Sequence, residues 1–159
     1  MNTRRKHHYF EREENSPKPV TVSVNRRCQF SDVDALAIVW HGRYVNFFEE
    51  ASAELGRKCG LTYEIMQREG IAAPIAQLHI DYYHPLRLSE ICTIQASLIW
   101  SEASRLNIEY LISGENGSCA CCGYTVQMFV TAETSEVCIL SPDILVKCRT
   151  NWQNGMFHD

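Results

Sequence analysis

The sequence predicts an α+β fold: an antiparallel sheet of about five strands with one long helix against one face. Three observations lead there. A run from Val20 to Phe30 alternates with period two and is β-branched on one parity. A single apolar stripe at helical spacing follows, at Tyr44, Phe47, Phe48, Ala51 and Leu55. After Gly70 the chain is mainly β-branched and aromatic, broken by turn formers. Strand, helix and then a block of strands are separated runs, which excludes an alternating βαβ arrangement.

Taken in order, residues 1–19 are polar, of mixed charge, and end in two prolines. This composition is expected to stay a flexible tail. In the first strand Val20, Val22 and Val24 alternate with Thr21, Ser23 and Asn25, and Arg26, Cys28 and Phe30 continue the first parity. The alternation stops at Ser31-Asp32-Val33-Asp34, where short acidic side chains favour a turn. On the long helix, Glu49, Glu50, Glu54 and Arg57 occupy the face opposite the stripe. A short helix follows, with Thr62 as N-cap and Gly70 as stop. The later strands are expected at Ile71–Tyr83, Ile91–Trp100, Arg105–Ser113 and Ser118–Glu133. The folded domain is expected over residues 20–148, with 149–159 as a C-terminal tail.

Length and composition narrow the function classes. A chain of 159 residues is one domain and can build its own core. With 45% hydrophobic and 21% charged residues it is neither disordered nor collagen-like nor a coiled coil. A net charge of −4 argues against a nucleic-acid binder. No apolar run reaches membrane-span length, and the basic Met1–Lys6 is followed by His7, His8 and Tyr9 rather than an apolar signal core. A cytoplasmic location is therefore expected. The 8 cysteines are then expected to be reduced, small and mostly buried. In Cys119-Ala120-Cys121-Cys122, strand parity puts Cys119 and Cys121 on one face and Cys122 on the other. The spacing does not supply a second ligand pair, so no metal is expected.

The densest set of reactive groups lies in Phe30–Tyr44. This segment joins strand to helix, sets Asp32 and Asp34 two residues apart and places His41 just before the helix. Unpaired N–H groups at a helix start can stabilise a developing oxyanion. A nearby carboxylate can act as nucleophile or general base. From the residues alone, an Asp-x-Asp in this position is most often a turn or a cap.

The run FSDVDALAIVWHGRYVNFFEEA, Phe30 to Ala51, resembles the signature of the hotdog-fold acyl-CoA thioesterases. It is most similar to the 4-hydroxybenzoyl-CoA thioesterase family, including its Tol-Pal-associated acyl-CoA thioesterase branch. Asp81-Tyr82-Tyr83-His84-Pro85-Leu86-Arg87 resembles that family's second strand, and the likeness spans roughly residues 20–148. It implies a hotdog fold and hydrolysis of an acyl-CoA or aroyl-CoA, or of an acyl carrier protein thioester. It also implies a homodimer or homotetramer with sites shared between subunits. CoA would belong to the substrate, and no other cofactor is implied. Asp34 falls on the family's catalytic carboxylate and His41 on its His or Tyr position, where a backbone N–H polarises the thioester carbonyl. Trp40, Tyr44 and Glu49 fall on positions expected to line the substrate site. The chain departs from the pattern at Leu36 and Ala37, where members commonly carry Gly, and at Phe30, where the nearest branch often has Tyr. The rival readings are a hotdog hydratase or dehydratase, and a non-catalytic acyl-CoA or acyl-carrier binding module.

Overall fold

A computed structural model describes residues 8–158 of the chain. The strands are β1 (Val20–Arg27), β2 (Ile71–Ala72), β3 (Ile75–Tyr82), β4 (Ile91–Ile99), β5 (Arg105–Ser113), β6 (Cys119–Met128) and β7 (Val130–Thr131). The helices are α1 (Tyr44–Cys59), α2 (Tyr63–Arg68) and α3 (Asp143–Gln153). Five strands form one antiparallel sheet in the order β1-β4-β5-β6-β3, while β2 and β7 pair separately. Among the described residues no helix is long and apolar enough to cross a membrane.

The expected stripe is the helix's buried face. Tyr44, Phe47, Phe48, Ala51 and Leu55 are all buried, and Cys59 extends the row by one turn. Phe48 stacks flat on Tyr110 of β5, with ring centroids 4.2 Å apart. This close approach needs Gly123 on β6, where a Cβ would meet the His79 carbonyl at 2.2 Å and the Phe48 ring at 3.0 Å. The helix wrapped by a curved antiparallel sheet is the hotdog arrangement. On β1 the valines face the helix, and Thr21 and Asn25 pair with Ser97 and Thr93 at 2.9 Å on the other face. Thr62 caps α2, its hydroxyl accepting from the Ile65 N–H at 3.3 Å.

Four expectations need correction. The strand expected from Ile71 is two: Pro74, which has no N–H to give a ladder, separates β2 from β3. The segment expected as a C-terminal tail continues α3 to Gln153, whose Trp152 is buried against Trp100 and donates to the Lys18 carbonyl at 2.7 Å. Cys119 and Cys122 are neighbours, with Sγ atoms 3.5 Å apart, because the β5–β6 register shifts after Ile112 and Ala120 becomes an extra residue. All eight cysteines are free thiols, six of them buried.

The N-terminal segment, the fourth case, is not wholly a free tail. Met1 to His7 lie outside the described residues, but Tyr9 to Arg12 pack on the outer face of the sheet. The buried Glu109 carboxylate accepts the N–H groups of Tyr9 (2.8 Å) and Phe10 (3.0 Å) and the Arg12 guanidinium (2.7 Å). Tyr9 and Phe10 pack on the Tyr124 ring. Burial alone would raise the Glu109 pKa; Arg12 and the two N–H groups outweigh it and hold the carboxyl below its usual range. Glu109→Ala is expected to cost about 1–3 kcal/mol and to release this strap. Limited proteolysis should then cut near Arg12 well before the domain itself.

Candidate active site

The candidate site is the turn between β1 and α1. A 3₁₀ turn at Phe30–Asp32 leads into a tight hairpin in which Val33 pairs with Val39. The Asp34 N–H donates to the Ile38 carbonyl at 2.9 Å, and the Ala37 N–H donates back to the Asp34 carbonyl at 3.0 Å. The segment after β3 fixes this hairpin from outside: the Val39 N–H donates to Leu86 O at 2.8 Å and the Leu88 N–H to Ala37 O at 3.1 Å. The stretch ending in Arg87, to which sequence reading gives only secondary weight, is thus the backing of the site.

The two aspartates are in opposite situations. Asp32 is 1% exposed, and both its oxygens accept from Arg26 at 3.0 Å. It also accepts the Gln29 N–H at 2.8 Å and lies 3.4 Å from the Arg43 Nε. Burial by itself raises the Asp32 pKa; the Gln29 N–H and the Arg26 and Arg43 charges more than reverse this, leaving it below the ordinary value. Arg26 also pairs with Glu50 on α1 and lies over the Phe47 ring at 4.4 Å. This cluster clamps β1, the turn and α1 together. Asp34, by contrast, is half-buried, and among the described residues its carboxylate accepts one hydrogen bond, from the Leu36 N–H at 2.8 Å.

Ala37 has φ of 58°, in the left-handed region. Glycine adopts this conformation without a Cβ clash, whereas the Ala37 methyl is strained there. Ala37→Gly keeps both backbone bonds and is expected to stabilise the protein by about 0.5–1 kcal/mol after the cost to the unfolded state. A raised urea midpoint at unchanged slope would show it.

The helix start follows. His41–Arg43 forms a 3₁₀ turn running directly into α1 at Tyr44. The amides of His41 and Gly42 open this helical segment, where the first N–H groups have no intrahelical acceptor. The His41 ring is exposed and lies against Trp40, and its carbonyl accepts the Tyr82 hydroxyl at 2.6 Å. Trp40 folds back over Gly42, where a Cβ would come within 2.3 Å of the indole. Trp40, Leu36 and Phe30 are 49%, 76% and 85% exposed and form an apolar rim along the turn.

The remaining expected residues do not all reach this rim. Tyr44 is buried: its hydroxyl accepts the Leu86 N–H at 3.4 Å, and burial pushes its pKa up to about 12. It braces the turn from beneath. Glu49 lies further along α1, accepting the Tyr63 hydroxyl at 3.0 Å. Sequence reading missed Arg26, Asp32 and Arg43 as a unit; the one signal for it was an arginine on the apolar parity of β1. No cluster of three metal-ligating side chains exists among the described residues.

Comparison with known proteins bears on this geometry. Residues 28–148 match the profile of the thioesterase-like superfamily. The acyl-CoA thioester hydrolase YbgC of Escherichia coli O157:H7 is 28% identical over 91 residues, which are 57% of this chain and 68% of that protein. The DHNA-CoA thioesterase of Staphylococcus aureus superposes with a TM-score of 0.76 at 20% identity, over 86% of this chain and 93% of its own. The S. aureus protein SAV2348, solved in complex with CoA, gives 0.74 at 14% identity, over 87% and 85%. The structural likenesses carry the fold, and the profile spans the turn, the helix and every strand of the main sheet but β1. The chain is therefore a member of the thioesterase-like superfamily.

Proposed function

We propose that the protein hydrolyses acyl-CoA thioesters, with Asp34 as the reacting carboxylate. The observation that carries this reading is the contrast between the two aspartates. Asp32 is consumed by Arg26, Arg43 and Gln29, whereas Asp34 has one hydrogen bond and stands beside an apolar rim. The relative named as an acyl-CoA thioester hydrolase supports the substrate class. The thioester carbonyl would sit at the opening of the helical segment. There the His41 and Gly42 amides favour the oxyanion without using a side chain. Asp34 would then attack the carbonyl carbon or draw a proton from an attacking water. Either route breaks the carbon–sulfur bond, releases CoA as thiol after protonation, and yields the free acid at the expense of one water. The exposed His41 ring and Trp40 would line the approach of the substrate. The same reading expects a second copy of the chain over the rim and the exposed edge of β3, where Ile75 and Leu78 are 40% and 45% exposed.

The direct test follows the ultraviolet absorbance of the thioester bond across butanoyl-, dodecanoyl-, hexadecanoyl- and benzoyl-CoA. Loss of absorbance with at least one of them is the expected result. An intact panel at high protein concentration would overturn the reading. Thiol-trapping dyes are unsuitable because Cys119 and Cys138 are partly accessible.

A further inference from the structure

On the helix side of the sheet lies a hollow of about 350 Å³ between the C-terminal half of α1, α2 and strands β4 and β5. Its floor consists of Leu55, Leu61, Met66, Leu98, Leu106 and Ile108, all buried. Arg57, Glu64 and Gln127 stand among the residues lining it and supply polar groups. The hollow opens to the surface between exposed Arg57, Tyr63 and Glu64. An apolar floor also gives water no partners, so the space suits a hydrocarbon better than solvent.

Between the hollow and the turn before α1 lie apolar side chains, with the Tyr63–Glu49 pair at the junction. A second hollow adjoins it at Tyr63, Met66 and Gln127 and extends to Glu49 on α1 and Ile75 on β3. Tyr63, hydrogen-bonded to Glu49, stands between the two. Along β3, Ile80 is paired with Gly123, against which Phe48 of α1 lies; Leu78, Ile80 and Tyr82 therefore share the helix side of the strand. Leu78 and Tyr82 are 45% and 49% exposed, and the Tyr82 hydroxyl reaches the His41 carbonyl. The strand thus presents apolar surface from the helix start to the outer hollow. Along α1 the eight steps from Tyr44 to Ser52, where the lining of the inner hollow begins, span roughly 12 Å. A straight acyl chain crosses such a distance; a single aromatic ring does not.

We propose that this hollow is a tail site for long, unbranched acyl chains, so that the preferred substrates are long-chain aliphatic thioesters rather than aroyl-CoA. The assignment of the substrate rests on the thioester-hydrolase reading above, while the hydrocarbon site itself stands on the cavity.

Ala53 lines the hollow and is half-buried, so Ala53→Phe obstructs the space without entering the core. Ile108→Phe fills it from the floor and provides a second, independent obstruction. The ratio of kcat/KM for hexadecanoyl-CoA to that for butanoyl-CoA is expected to exceed one in the wild type and to fall at least about tenfold in each folded variant, the worth of a few buried methylenes. Displacement of a fluorescent fatty-acid analogue by hexadecanoate reads the same site without chemistry and should weaken in parallel. Fastest turnover of butanoyl- or benzoyl-CoA, with a ratio insensitive to Ala53→Phe, would overturn the tail site and leave thioester hydrolysis standing. No turnover of any thioester, with hexadecanoate binding that Ala53→Phe abolishes, would uphold the tail site and remove the hydrolase reading. Absence of both turnover and hexadecanoate binding would remove both.

Discussion

Asp34→Asn is expected to lower kcat on the best acyl-CoA by about 10²–10⁴-fold, the usual range for loss of a positioned acid or base. The asparagine amide oxygen can still accept the Leu36 N–H that the carboxylate accepts at 2.8 Å, so the Asx turn survives. The side chain is half-buried and makes no ion pair among the described residues, so its replacement should move stability by no more than about 0.5 kcal/mol. A large kinetic loss with an unchanged melting temperature is therefore the expected pairing. Substrate binding should persist, so KM should change far less than kcat. Full turnover by a correctly folded Asp34→Asn protein would remove Asp34 from the reaction and redirect attention to Glu49, the next carboxylate along the helix.

The sequence patterns that proved legible were local ones. The stripe from Tyr44 to Leu55 repeats at the helical period whatever packs against it, and it is the buried face of α1. Arg105–Ser113 is a strand with the expected ends because Gly114 and the residues around Ser104 break it on both sides. What remained hidden depended on distant partners. Leu145, Cys148 and Trp152 have helical spacing, but the row is short and its value comes from Trp100 and the Lys18 carbonyl, far away in sequence. The Cys119–Cys122 contact arises from a register shift that neither strand shows on its own. The candidate site was half legible. Spacing placed two carboxylates at a strand-to-helix turn, and the resemblance favoured the second. The arginines that occupy Asp32 come from β1 and from the helix start, outside the Asp-x-Asp motif, so the difference between the two aspartates is visible only in the fold. Tyr44, expected at the substrate site, is buried beneath the turn, where its hydroxyl accepts the Leu86 N–H.

Removing Asp32 should damage the protein in the opposite way to removing Asp34. Asp32→Ala leaves Arg26, only 19% exposed, without its bidentate partner, and such a break typically costs about 3–5 kcal/mol. For a chain of this length that corresponds to a melting temperature lower by roughly 10 °C or more. The effect should also carry a pH signature. The folded-state pKa of Asp32 is depressed, so its contribution is fully present above the ordinary aspartate value of about 3.9 and is lost as pH falls through the lower, folded value. The wild type should thus lose more stability than Asp32→Asn on going from neutral pH to below about pH 4, and the two curves should converge in acid. Coupling can be separated from simple burial with a cycle pairing Asp32→Leu with Arg26→Leu. If the ion pair between Arg26 and Asp32 is what holds the clamp, Asp32→Leu alone should be worse than expected from volume. Adding Arg26→Leu should then recover part of the loss, because it removes the stranded charge. Strictly additive costs would instead mean that the Gln29 N–H and Arg43 suffice to hold Asp32, and that Arg26 is anchored by Glu50 and the Phe47 ring.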